Sequence, residues 1–185
     1  MKPEQHSRHK PLPPVDLLRE LYHYDENNGV LLRKKPRRGV KVGQVVGCMA
    51  ANGYITLGIR INRKQRRYAA HRVMYAIFYG EDPGLYEIDH IDGNRANNRI
   101  NNLRLATRVQ NLANGPARKT ARCGFRGVSF FKPIRKWRAD IKANGKQKCL
   151  GYFDDPEVAA RAYDRAALEV FGEFARPNFP QENRA

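Results

Sequence analysis

Along this chain the spacing of apolar positions changes several times, and each change predicts an element. Val15, Leu17, Leu18 and Leu21 form a short apolar stretch, and the segment after it, to about residue 70, reads as strands. Asn28-Gly29 and Asn52-Gly53 are hairpin-turn signals, and Tyr54 to Ile61 supplies the β-type residues of a strand. The period then lengthens. Residues 71–79 predict a helix burying Val73, Met74, Ile77 and Phe78 and ended by Gly80. Tyr86 to Asn94 reads as a short strand entering a polar turn, followed by an Asn-rich loop and a second short strand at Leu103-Arg104-Leu105. Thr107 and Gln110 fit a capping box that opens a helix carrying Asn111, with Gly115 as its C-cap. Further on, Trp137, Ala139 and Ile141 alternate with Arg138, Asp140 and Lys142. Asn144-Gly145 predicts the next turn, Lys148–Phe153 a strand, and Asp155-Pro156 the start of an alanine-rich helix ended by Gly172. Small alanines let that helix lie close over Trp137 and Ile141.

The expected class is α+β. A small β-rich region leads into a strand–loop–strand–helix unit, and a three-stranded antiparallel sheet packed on one helix follows. The expected boundaries are a flexible tail over 1–14, a first domain over 15–115, a basic linker over 116–124, a second domain over 125–180 and a tail over 181–185.

Charge narrows the partners. The 185 residues include 35 Lys and Arg against 18 Asp and Glu, a formal net charge of +17. Such an imbalance attracts polyanions. Two upstream clusters contain no acid: Arg33, Lys34, Lys35, Arg37, Arg38 and Lys41, then Arg60, Arg63, Lys64, Arg66, Arg67 and Arg72. In 116–150 the single acid is Asp140, whereas acids gather over 151–185, so the second domain has a basic face and a more acidic backing helix. No basic amphipathic helix of adequate length and no window of roughly 18–20 apolar residues is present, which argues against a membrane partner. The polar start lacks an apolar signal region and predicts a cytoplasmic protein. Cys48, Cys123 and Cys149 are too few and scattered for a disulfide framework or a cysteine zinc site. Nucleic acid is the expected partner, with no small-molecule cofactor.

One segment carries chemistry. A phosphodiester repels nucleophiles, so its hydrolysis needs a base for water and a cation for the transition state. A neutral imidazole, with an ordinary pKa near ~6.5, suits the base role, which falls to His90. Asp89 and Asn111 offer hard oxygen donors of the kind Mg²⁺ takes. Asn94, Asn97, Asn98 and Asn101 read as ordinary turn residues, and His71 as structural or phosphate-facing. Asp92-Gly93 lacks the acid spacing of a calcium loop.

Asp89-His90, Asn102 and Asn111, with the flanking "His-Ile-Asp-Gly-Asn … Asn-Asn-Arg-Ile-Asn-Asn-Leu-Arg … Gln-Asn", resemble the HNH motif of the ββα-metal endonucleases, in their phage and group I intron branch. The match covers roughly 25–115 and includes His71-Arg72-Val73. The resemblance implies single-metal DNA cleavage. His90 would be the general base, Asp89 and Asn111 would hold the divalent ion (Mg²⁺, with Mn²⁺ as the alternative), and Asn102 would hold the loop and help orient His90.

The second domain is similar to the Apetala-two (ethylene-response-factor) DNA-binding domain. The shared residues are Arg126-Gly127-Val128, Trp137-Arg138-Ala139, Leu150-Gly151-Tyr152-Phe153, the run from Ala159 to Asp164, and Asn178-Phe179-Pro180. That likeness implies duplex DNA contact from the sheet, with Arg126, Lys142, Asp140 and Tyr163 at the surface. Arg135, Lys136 and Arg138 join them from charge and alternation. Ser129, Phe131 and Cys149 depart from the plant pattern, so no target sequence is inherited. The reading is a two-module, metal-dependent DNA endonuclease of homing or phage type. A non-cutting DNA-binding regulator and an RNA binder remain as alternatives. Nicking against double-strand cleavage, and monomer against dimer, stay open.

Overall fold

The computed structural model describes residues 10–36, 39–115, 123–143 and 145–180. Residues 1–9 of the expected 1–14 tail, the tail at 181–185, the linker residues 116–122, Arg37 and Arg38 of the first basic cluster and Asn144 of the last hairpin signal lie outside the described residues. The chain divides into two compact units, Met1–Thr107 and Arg108–Ala185.

In the first unit the opening apolar stretch is a helix, α1 (Val15–Leu21), which buries Leu18. An antiparallel sheet follows, with β1 (Tyr22–Asp25), β2 (Val30–Arg33) and β3 (Val45–Val46) in that order. Gly29, at φ +65, takes the left-handed turn conformation that its Asn-Gly signal announces. A second sheet orders β4 (Cys48–Met49), β5 (Ile55–Ile61) and β6 (Lys64–Ala69). Alternation along β5 buries Leu57 and Ile59, while Lys64, Gln65, Arg66 and Arg67 of β6 are exposed.

Helix α2 (Ala70–Tyr79) stops at Gly80 in the left-handed region. It buries Val73 and Met74 together with Ala70, His71, Arg72, Tyr75 and Ala76. Phe78, expected in the core, is 39% exposed. The core-facing stripe runs through Ala70, Val73, Met74 and Ile77. Phe78 falls beside it and meets Tyr24 edge-on at 6.4 Å. Arg72 is also not part of a basic surface: its guanidinium is buried and donates to the Tyr86 and Gly84 carbonyls at 2.6 and 2.9 Å. Burial lowers its pKa, against the raising effect of the Asp82 carboxylate. The hairpin of β7 (Glu87–His90) and β8 (Leu103–Ala106) is seated by Ile88 and Leu103 against Tyr75.

The second unit begins with α3 (Arg108–Asn114). Its sheet has the order β9 (Val128–Phe131), β10 (Lys136–Ala143) and β11 (Lys146–Phe153), and α4 (Pro156–Phe171) covers one face. Asp155 caps α4 by accepting from the Glu157 amide at 2.8 Å, with Pro156 at the first position. Ala139 and Ile141 lie under Ala159, Ala160 and Ala167, the close approach the alanine run leads one to expect, with Trp137 half-buried at the rim. The second unit also holds α3: the Ala113 carbonyl accepts from Arg126 Nη1, and the Asn114 carbonyl from Arg176 Nη1 at 3.4 Å.

Candidate active site

The β7–β8 register places His90 opposite Leu103 and Asp89 opposite Arg104. Asp89 is buried, and its Oδ2 accepts from Arg104 Nε at 2.9 Å. A buried carboxylate needs such a partner, and the cross-strand position supplies it. His90 is 4% exposed. Its Nε2 lies 3.0 Å from Asn98 Oδ1. A carboxamide oxygen only accepts, so Nε2 carries the proton and Nδ1 presents the lone pair. Burial pushes the His90 pKa below its ordinary value, and Arg95 adds to this. The Asn98 bond and the charges of Asp92 and Asp89 oppose the shift without reversing it. The imidazole is therefore neutral at neutral pH.

The loop from 91 to 102 is closed on itself. Asn102 Nδ2 donates to Asp92 Oδ1 at 2.9 Å and to the Asn97 carbonyl at 2.8 Å, while its Oδ1 accepts from the Asp92 amide at 3.0 Å. Asp92 also accepts from Asn97 Nδ2 and the Asn94 amide, both at 2.7 Å. Burial acts to raise the Asp92 pKa, and these hydrogen bonds outweigh it, so the carboxyl lies below its ordinary range. Asn102 thus ties the loop, and the Asn98 side chain meets the His90 ring.

Asn98 is itself anchored from outside the loop. The Tyr24 hydroxyl donates to its carbonyl at 2.8 Å, and burial pushes the Tyr24 pKa up to about 12. The neighbouring Arg99 donates to the Asn27 carbonyl at 2.7 Å. Tyr54 and His71 complete the surroundings. The His71 ring lies 5.1 Å from both the Tyr54 and His90 rings, and Tyr54 lies 5.8 Å from His90. Arg95 covers the Tyr54 ring at 4.9 Å. Asn98 reads in sequence as a turn residue, and nothing in the local pattern marks Tyr24, Tyr54 or Arg104.

Asn111 lies on α3 in the second unit. In that unit Arg135 is exposed at φ +55, ending the turn before β10, and Lys142 is exposed on β10. Lys136 Nζ is 3.2 Å from Asp154 Oδ2, and Arg138 Nε donates to Asp140 Oδ2 at 2.6 Å. Arg126, expected at the contact surface, is half-buried, with one Nη on the Ala113 carbonyl. Tyr163, expected beside it, is buried under the sheet, because Gly127 packs directly on its ring.

The chain is similar to several known proteins. The model of the HNH endonuclease family matches residues 68–113, which span α2, the β7–β8 hairpin and most of α3. Protein 3.8 of Escherichia phage T7 is 41% identical over 97 residues, covering 52% of this chain and 79% of that protein. An HNH endonuclease of Acanthamoeba polyphaga mimivirus is 38% identical over 109 residues, 58% of this chain and 56% of its own length. The second similarity is separate: an AP2-like ethylene-responsive transcription factor of Arabidopsis thaliana is 42% identical over 71 residues, 38% of this chain and 14% of that protein. A solved structure of the HNH homing endonuclease I-HmuI, showing DNA binding and cleavage, superposes with a TM-score of 0.39 at 28% identity, over 50% of each chain.

Proposed function

The chain belongs to the HNH endonuclease family, and on that premise we propose that it hydrolyses phosphodiester bonds of duplex DNA at His90, with its C-terminal sheet holding the target. The observation that carries the reading is a buried, neutral imidazole whose tautomer is fixed by Asn98. His90 Nδ1 takes a proton from water. The resulting hydroxide attacks phosphorus in line with the 3′ oxygen, the P–O3′ bond breaks with its electron pair on O3′, that oxygen takes a proton from solvent, and the products carry a 5′-phosphate and a 3′-hydroxyl. Asp89 and Asp92, both acting to stabilise the imidazolium, favour the proton's stay on His90 during attack.

The donor chemistry fits a divalent ion. Asp89 and Asn111 provide a carboxylate and a carboxamide oxygen, the hard donors that Mg²⁺ or Mn²⁺ takes along with water and phosphate. Among the described residues no three His, Cys, Asp or Glu side chains gather, so a bound ion would rest on this sparse set and on the substrate's own oxygens. When bound, such an ion offsets charge on the transition state and the leaving oxygen. Arg104 holds Asp89 Oδ2 and so fixes the orientation of the carboxylate.

The second unit supports targeting through its exposed basic residues, Arg135 in the turn before β10 and Lys142 on the sheet side away from α4, with Lys136 and Arg138 on the same face of β10 as Lys142. The test is supercoiled plasmid with Mg²⁺ or EDTA, parent against His90→Ala. The parent is expected to relax or linearise the plasmid only with metal, and the variant to be slower by about 10²–10⁴-fold at unchanged DNA affinity. Cleavage by the variant at the parent's rate would remove His90 from the base role.

A further inference from the structure

We propose that Arg138, held by Asp140, reads a guanine in the major groove. The inference rests on the reading of the second unit as a DNA-binding module. Ala139 and Ile141 face α4, so strand alternation turns Arg138 and Asp140 to the outer face. Arg138 Nε donates to Asp140 Oδ2 at 2.6 Å, its guanidinium carbon lies 5.6 Å from the Phe131 ring, and Phe131 lies 5.3 Å from the Tyr152 ring. The register sets Tyr152 directly opposite Arg138. The two charged side chains are 30% and 15% exposed, so the guanidinium is held in one orientation against an aromatic neighbour.

The atom used matters. With Nε bonded to the carboxylate and Tyr152 also hydrogen-bonded to the side chain, the Nη hydrogens left over are the donors for guanine O6 and N7. An acid at the centre of a basic sheet weakens attraction for phosphate. A device built only for affinity would omit it, whereas one that fixes an arginine fork for a base edge requires it. Phosphate contacts are left to exposed basic residues such as Lys142, which shares the outer face with the pair.

The test selects binding sites from random duplexes with the full chain, in EDTA so that the DNA stays intact. The parent is compared with Arg138→Lys, Arg138→Ala, Asp140→Asn and Lys142→Ala, each checked for an unchanged melting temperature. The parent should select a site with a fixed G·C pair, and replacing that pair should weaken it by about ten- to a hundredfold. Arg138→Lys and Arg138→Ala should erase that preference, and in Arg138→Lys, which keeps the charge, random-duplex affinity should stay within about threefold of the parent. Asp140→Asn should blunt the preference while random-duplex affinity holds or rises. Preservation of the guanine preference in Arg138→Lys, or uniform weakening on all sequences in Arg138→Ala, would overturn the proposal alone. Identical affinity and salt dependence for the parent and every sheet variant, Lys142→Ala included, would overturn the DNA-binding reading of the module as well.

Discussion

Which nitrogen of His90 carries the proton is decided by a single side chain, Asn98. Its oxygen sits on Nε2 and its backbone is held by Tyr24. Asn98→Ala removes the acceptor, so the ring is free to adopt the tautomer that buries its lone pair. The expected loss in cleavage rate is about ten- to a hundredfold, the usual cost of removing a group that orients a reacting side chain. Asn98→Asp tests the electrostatics. In the parent, burial lowers the His90 pKa, so the reactive neutral form persists to more acidic pH than for a free imidazole and the rate falls only below that range. A carboxylate on Nε2 favours the imidazolium and raises the pKa. The acid limb of the pH–rate profile should therefore move to higher pH, and an unmoved limb would mean that a different group limits the rate. At this scale the sequence was partly legible. Asp89 and His90 stand out because their spacing to Asn102 and Asn111 is rare. Asn98 does not, because asparagine in a turn is the default and its bond to His90 exists only once the loop is folded. Tyr54, just ahead of β5, and His71, on α2, reach His90 through packing that no local pattern records.

The elements were the most legible level, since hairpin glycines, the Asp155 cap and the strand alternation each act locally. Two features of the second unit were not. One is the direction of Arg126, whose position in the motif suggests a surface and whose guanidinium turns to α3. The other is the reason for Gly127. This residue has φ +72, and a Cβ there would stand 2.0 Å from Tyr163 Cδ2. The sheet and α4 meet at that point, so neither the ring nor the backbone has room to yield. Gly127→Ala combines a left-handed backbone with overpacking, and the expected destabilisation is about 2–5 kcal/mol. In denaturant unfolding of the full chain, the second unit should melt earlier. Unchanged unfolding would show that Tyr163 leaves the contact readily, and with it that α4 is held by other means.

For the chain as a whole, the question is whether the nuclease chemistry survives without the C-terminal module. A division after residue 115 would follow the expected domain boundary and keep every motif residue. The physical grounds against its success lie in α3. The helix is seven residues long, well short of the roughly 12–15 residues at which an isolated helix becomes even marginal in water. The last carbonyls of any helix lack partners within it, and here Arg126 and Arg176 serve Ala113 and Asn114. Both arginines lie beyond the cut. Without them α3 loses its packing surface and its end caps, and Asn111 loses a fixed position. A chain ending at residue 115 is therefore expected to cleave far more slowly than the parent, even at low salt and at protein concentrations that saturate the DNA, where weaker phosphate attraction no longer limits the rate. A double variant of the full chain, Arg126→Met with Arg176→Met, separates the two contributions. It keeps the exposed basic face and should bind DNA with a salt dependence close to the parent's, yet its cleavage at saturation should fall with that of the truncated chain. If the truncated chain cut at the parent's rate once saturated, α3 would not depend on these caps, and the two arginines would be reduced to surface partners of a helix already in place.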